Sequence, residues 1–266
     1  MSSSTAFTDE AISRRAPSSG FKGFGVLTWF TFWKFITNPI TISFSLILPI
    51  LMYLIFGSGQ SYAQNWGVHG NAAASVLANM TTYGVVLVAS SMGANAALDR
   101  TMGISRLFAL TPMRSAANIL ARLIAAVGAG AIVVAIVYAV GAFTGAQMEA
   151  SAWALTPVIM LPASILAAAI GLAVAFTVRS DGAYAASSAV ILLSAVCAGM
   201  FMPLSMMGPV FSVIAPFTPL YGITNMVQVP LQGLDSFHWV DPVNFVVWTV
   251  LFVGIAVWGQ RRDTNR

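Results

Sequence analysis

Residues 74–122 read ASVLANMTTYGVVLVASSMGANAALDRTMGISRLFALTPMRSAANILAR. From Ala74 to Ala97 there is no charged group, and a second apolar run extends from Ala117 to Phe143, interrupted only by Arg122 near its start. Each run exceeds the roughly 20 residues a helix needs to cross a hydrocarbon layer. Between them stand Asp99, Arg100, Arg106 and Arg114. Two apolar runs around a short basic connection read as a helical hairpin through a membrane, its connection on the cytoplasmic side where positive charge is retained.

Working outward, six spans are predicted, over about 40–56, 74–97, 117–143, 154–178, 184–206 and 241–259. This threading puts every cation on one side. Arg14, Arg15, Lys22 and Lys34 precede the first span, Arg179 follows the fourth, and Arg261, Arg262 and Arg266 follow the sixth. The opposite loops carry only acids, Glu149, Asp235 and Asp241, so both termini are expected in the cytoplasm. A composition of 58% hydrophobic and 8% charged residues excludes a soluble globular domain. The positive net charge is confined to cytoplasmic segments, which argues against a nucleic-acid partner and for membrane lipids. Cys197, the single cysteine, lies in an apolar run and reads as a packing group.

The expected fold is therefore an all-α membrane protein with six transmembrane helices. Residues 1–21 read as a disordered cytoplasmic tail, 22–259 as the membrane domain and 260–266 as a second cytoplasmic tail. Within the domain, 22–37 forms an aromatic-rich helix with Thr28, Thr31 and Lys34 on one strip. It reads as an amphipathic helix in the interface, or as the aromatic belt of a span that begins early. Pro49, Pro157 and Pro162 lie inside spans and can kink them, while Gly128, Gly130, Gly141 and Gly171 permit close helix approach. Four prolines between Gly208 and Gln232 are too many for one continuous helix. An outer re-entrant hairpin of two short helices between spans five and six fits best.

The connection DRTMGISRLFALTPMR, residues 99–114, is the only long charged connection inside the chain. Asp99 is suited to a helix N-terminus, and Leu107, Phe108 and Leu110 beside Arg106 suit a short cytoplasmic helix that docks in another protein's groove. An ordinary interfacial loop whose arginines only set topology is the other reading. Met200, Phe201, Met202 and Met206, with Thr81, Thr82 and Tyr83 of the second span, are candidates for a path that takes apolar or amphipathic molecules. His69 and His238, with the three outer acids, form no recognisable catalytic or metal constellation, and no ionisable group occupies the centre of a span. Lys22 and Lys34 stand in Phe-Lys-Gly and Trp-Lys-Phe, so the Gly-Lys-Ser/Thr step of a phosphate-binding loop is missing.

With Asp99, Gly103 and Pro112 spaced as they are, the aromatic helix before the first span, and the proline-broken segment after Phe201-Met202-Pro203, the chain resembles the membrane subunit of type-2 ABC transporters. That class includes the daunorubicin-resistance exporters. It departs from the family pattern in having Asp99 where Glu is usual and Ile104-Ser105 where Thr and an aliphatic residue are common. The resemblance implies a multi-pass inner-membrane permease, not itself an enzyme and without a cofactor of its own. Its partners would be a separate ATPase subunit that holds ATP and Mg and a second permease protomer, identical or homologous. It further implies coupling to the ATPase through Asp99, Gly103, Arg106, Leu107 and Pro112, and outward movement of drug-like, natural-product or lipid-like molecules. An ATP-independent channel or carrier is the alternative, and a membrane-embedded lipid enzyme a more distant one.

Overall fold

The computed structural model describes residues 21, 23–102, 115–178 and 180–264. Described elements are helical apart from isolated bridges in the loops. Helix α1, Phe24–Ile36, begins after Gly23 and stops before Pro39, whose ring disfavours a helical residue ahead of it. Helix α2, Pro39–Tyr53, continues into a π-helical turn at Leu54–Ser58. The carbonyls freed by that wider turn are occupied, because Gln60 Nε2 donates to Ile55 O at 2.7 Å and Tyr62 Oη to Phe56 O at 2.7 Å. Helices α3, Ala72–Thr101, and α4, Ser115–Phe143, are the two arms of the predicted hairpin. Helices α5, Ala150–Met160, and α6, Ala163–Thr177, form one apolar stretch broken at Leu161-Pro162. Then come α7, Ser180–Cys197, the short α8, Leu204–Met207, α9, Pro209–Ile214, α10, Tyr221–Gln232, and the long α11, Val240–Thr264.

Helix α3 is the centre of the bundle. In its most apolar window 72% of residues are buried, against 11% in that of α11, so α3 is surrounded by protein and α11 lies at the edge. Small residues make this possible. Gly93 of α3 and Gly171 of α6 face each other so closely that a Cβ on Gly171 would fall on Ser90 O and 2.9 Å from Ala94 N. A Cβ on Gly93 would likewise fall on Ala168 O and 2.8 Å from Leu172 N. Backbone therefore touches backbone at this crossing, which maximises dispersion contact where lipid removes any hydrophobic drive between helices. Helix α7 joins α3 through a short Ser90–Ser187 hydroxyl contact, and Tyr138 Oη of α4 donates to Thr156 Oγ1 of α5 at 2.8 Å.

One end of the bundle is closed by a backbone knot around Asn71, which is fully buried. Its Oδ1 accepts from Ala74 N at 2.9 Å, capping α3, and from Gln147 N at 3.0 Å, while Nδ2 donates to Gly145 O at 2.9 Å. His69 N donates to Leu231 O at 3.0 Å, and Glu149 N to His69 O at 2.9 Å. Nδ1 of His69 lies 3.1 Å from Glu149 Oε2. The loops before α3, before α5 and after α10 are thereby sewn together. Replacing Asn71 with Ala removes a cap and leaves buried amides unsatisfied, an expected loss of about 1–3 kcal/mol. A fall in thermal midpoint of the detergent-purified protein is the corresponding measurement, and an unchanged midpoint contradicts the assigned role.

By length and composition, four described helical stretches can cross a membrane: Ala72–Arg100, Ala116–Phe143, Ala150–Thr177 and Val240–Arg262. They correspond to the predicted spans two, three, four and six, and the protein is a multi-pass membrane protein. Of the remaining two, the first is helical from Pro39 through its π turn to Ser58, against the predicted 40–56. The fifth departs from expectation, being helical only to Cys197 instead of Met206. Ala198–Pro203 leaves the helix because Gly199 takes a φ of 77°, a left-handed conformation open mainly to glycine. Helix α11 continues to Thr264, through residues read as tail. Between α7 and α11, Pro209–Phe217 and Tyr221–Gln232 meet at 103°. The second limb is anchored, because Gln228 Nε2 donates to Asn79 Oδ1 at 2.6 Å and Asn225 Nδ2 to Asp241 Oδ1 at 2.9 Å. The first limb exposes Val210, Val213 and Phe217.

Candidate functional site

The cationic side chains of the described helices gather at the other end of the bundle, with Asp99 among them. Asp99 lies in the last turn of α3, so the sequence reading that placed it at a helix N-terminus is corrected: it sits at a C-terminus, where the helix dipole disfavours an acid. Nearby cations supply the compensation. Arg122 Nη2 of α4 donates to Asp99 Oδ2 at 2.7 Å, with the arginine side chain 7% and the aspartate 14% exposed. Asn118, one turn earlier on α4, accepts from Arg122 Nε at 3.2 Å. Lys34, in the last turn of α1, reaches Asp99 Oδ1 at 3.4 Å from a half-exposed position.

A second tie comes from the neighbouring residue. Arg100 Nη1 donates to Ala175 O of α6 at 2.7 Å, and its guanidinium lies 5.7 Å from the centroid of the Phe176 ring. This caps a carbonyl in the last turn of α6 with a cation, the favourable sense of the dipole. Phe176 in turn packs on Gly259 of α11, where a Cβ would meet Phe176 Cβ at 2.6 Å. Five helices are thus joined through the two consecutive residues Asp99 and Arg100. The buried member, Asp99–Arg122, is a short charge-assisted bond in a partly dry setting, far stronger than an exposed pair.

This clamp sits at the roots of the connection between α3 and α4. Asp99 and Arg100 are on the last turn before it, and Asn118 and Arg122 are within two turns after it. The remaining predicted coupling residues, Gly103, Arg106, Leu107 and Pro112, lie outside the described residues. The pair ties the end of α3 to the start of α4, and Arg100 ties α3 to α6. Lys34 and Arg122 were not singled out from sequence as partners of Asp99, nor Asn118 as the support of Arg122 or Arg100 as the tie to α6. The only available signal was the Asn118–Arg122 spacing of four, which puts both on one helical face.

The predicted path residues are divided by the structure. Thr81 and Thr82 are fully buried in α3, with hydroxyls donating to Leu77 O and Ala78 O at 2.7 and 2.8 Å. Tyr83 is buried too and meets Phe201 edge-on at 4.9 Å between centroids, next to the buried Met200. Met202 and Met206 instead point out of the chain. Tyr83, Met200 and Phe201 therefore belong to the packed interior, and the two exposed methionines to its surface. Among the described residues no three His, Cys, Asp or Glu side chains gather as a metal site.

Comparison with known families adds one finding to this geometry. The model of the ABC-2 type transporter membrane family matches residues 22–231, from just before α1 to the last turn of α10 and well over half of the chain. No curated protein sequence matches it.

Proposed function

The chain belongs to the ABC-2 type transporter family and is a transporter membrane subunit, and on that premise we propose that it is the permease half of an ATP-driven exporter whose power stroke enters through the connection between α3 and α4. The observation that carries the coupling assignment is the Asp99–Arg122 pair at the roots of that connection, extended to α1 by Lys34 and to α6 by Arg100. A lever moves helices only if its ends are rigid, and a partly buried ion pair makes them so. In this reading the charged end faces the cytoplasm, six spans cross the bilayer with α2 and α7 as the first and fifth, and α1 lies in the interface. The bent pair around residues 218–220 is an outer re-entrant hairpin, since its backbone breaks at membrane depth need protein or water to satisfy them.

The ATPase is a separate polypeptide that holds ATP and Mg, and two permease protomers form the translocation unit. Closure of the ATPase pair on ATP presses on residues 103–114, and the clamp turns that push into a shift between two packings of the spans. The substrate is amphipathic or lipid-like, in keeping with apolar exposed side chains such as Met202, Met206 and Phe217 near the bent pair.

Purification of the tagged chain from its native host in mild detergent tests this reading. An ATPase should be retained in roughly equal amount and lost when residues 103–112 are replaced by a Gly-Ser segment of equal length. Repeated recovery of the intact, monodisperse chain with no ATPase would overturn the coupling assignment and bring forward an ATP-independent channel or carrier.

A further inference from the structure

A groove of about 360 Å³ separates α1 from α4, walled by Phe24, Thr28, Trp29 and Phe32 on one side and by Ile124 and Gly128 on the other. Its walls offer an occupant almost nothing polar. Thr28, the only hydroxyl, already donates to Phe24 O at 2.9 Å. Gly128 lets the Phe32 ring seat directly on α4 at the floor of the groove, because a Cβ there would stand 3.1 and 3.2 Å from two carbons of that ring. The groove opens outward beside Trp29 and Trp33, which are exposed and stacked with centroids 5.8 Å apart.

Depth and charge identify what fits. Ile124 and Gly128 follow Arg122 by two and six residues, so the groove begins about 3 Å and reaches about 9 Å along the axis from the level of the ion pair. A lipid whose headgroup lies in the charged layer puts its first acyl carbons at that depth. Among the described side chains near that level, Lys34, Arg100, Arg122, Arg261 and Arg262 outnumber the one acid, Asp99, whose shortest contact is already taken by Arg122. The excess charge favours an anionic headgroup.

We propose that the α1–α4 groove seats an acyl chain of an anionic phospholipid from the leaflet at the charged end, its headgroup in the layer of Lys34 and Arg122. The chain wedges between α1 and α4 and sets how firmly α1 presents Lys34 to Asp99. This rests on the membrane assignment alone and holds whether or not an ATPase is the partner.

The test uses the full chain in phosphatidylcholine nanodiscs containing a trace of phosphatidylglycerol with a photoreactive acyl chain. Labelling is expected in peptides containing residues 24–32 and 124–128, and unlabelled phosphatidylglycerol should displace it severalfold better than added phosphatidylcholine. Gly128→Leu, which drives a side chain against Phe32 and crowds the groove, should abolish this labelling while that of the exposed face of α11 persists. Equal displacement by the two lipids would reduce the site to ordinary boundary lipid and overturn the proposal. Labelling of α11 without labelling of the groove in the unsubstituted protein would overturn it as well, by assigning the groove to another occupant. The competition in the unsubstituted protein decides the matter if Gly128→Leu fails to fold.

Discussion

Gly171→Ala is expected to cost at least about 3 kcal/mol, the upper part of the range for overpacking a tight interior, and Gly171→Leu to leave no monodisperse protein. The size of the effect follows from what the new methyl group meets. At most helix crossings an added Cβ presses on a side chain that can turn aside, but here it falls on Ser90 O and Ala94 N, both fixed by the backbone bonds of α3. To admit it, α3 and α6 must move apart along the whole crossing and lose their contacts together. Gly93→Ala should behave in the same way, because the two glycines form one crossing. Gly254 provides the comparison, since a Cβ added there meets nothing within 4 Å, and Gly254→Ala should leave the thermal midpoint nearly unchanged or slightly raised. Midpoints for Gly171→Ala and Gly254→Ala that agree within error would show that the crossing is not as described.

Removing Asp99 should be the most damaging change at the charged end. In Asp99→Ala, Arg122 keeps its position with a side chain only 7% exposed and is left with Asn118 as its assigned partner. Stranding one member of such a pair costs about 3–5 kcal/mol. Lys34→Ala breaks the longer, half-exposed contact to the same carboxylate and should cost less than about 1 kcal/mol. The double variant Asp99→Leu with Arg122→Met removes both charges and is expected to recover much of the lost stability, since apolar groups of similar volume often replace a buried pair without penalty. It should nevertheless fail to recover stimulation of ATP hydrolysis in the assembled complex, because the ties to Lys34 and Arg122 are gone. A double variant both stable and fully coupled would make the clamp a folding device only. A double variant that loses as much as the single variants Asp99→Leu and Arg122→Met together would instead show that the residues do not interact.

How much of this was readable in advance varies with the kind of signal. The hairpin of α3 and α4 was legible because an uncharged run longer than a bilayer is thick, flanked by arginines, has few alternative conformations in lipid. The fifth span was drawn too long because hydropathy stays high through Ala198–Met206, while the helix is ended by a glycine in a left-handed conformation. Apolar character reports where a residue can be, not whether the chain is still helical there. The break of the α9–α10 region was legible from its prolines, because proline removes a donor wherever it stands.

The clamp was only half legible. Asp99 stood out as the single acid of its connection, but Lys34 and Arg122, 65 and 23 residues away, looked like topology signals. The same cation holds a chain on one side of a membrane and neutralises a buried acid, and local sequence does not separate the two roles. Likewise Thr81 and Thr82 read as path residues because their hydroxyls can hydrogen-bond a partly polar ligand. Their protons are taken up one turn back in their own helix, so they make no demand on a partner.

Read alone, the chain specifies a helical protein that crosses a membrane several times and carries no Gly-Lys-Ser/Thr step of a phosphate-binding loop. Each of these follows from composition and order along the chain, because solvation in lipid acts on every segment separately. Tertiary structure alone decided that α3 is the buried centre and α11 the edge, that Gly93 and Gly171 share one crossing, and that Asp99 closes on Arg122. Those outcomes depend on which helices become neighbours, and neighbours are chosen by shape and charge complementarity across residues far apart in the chain.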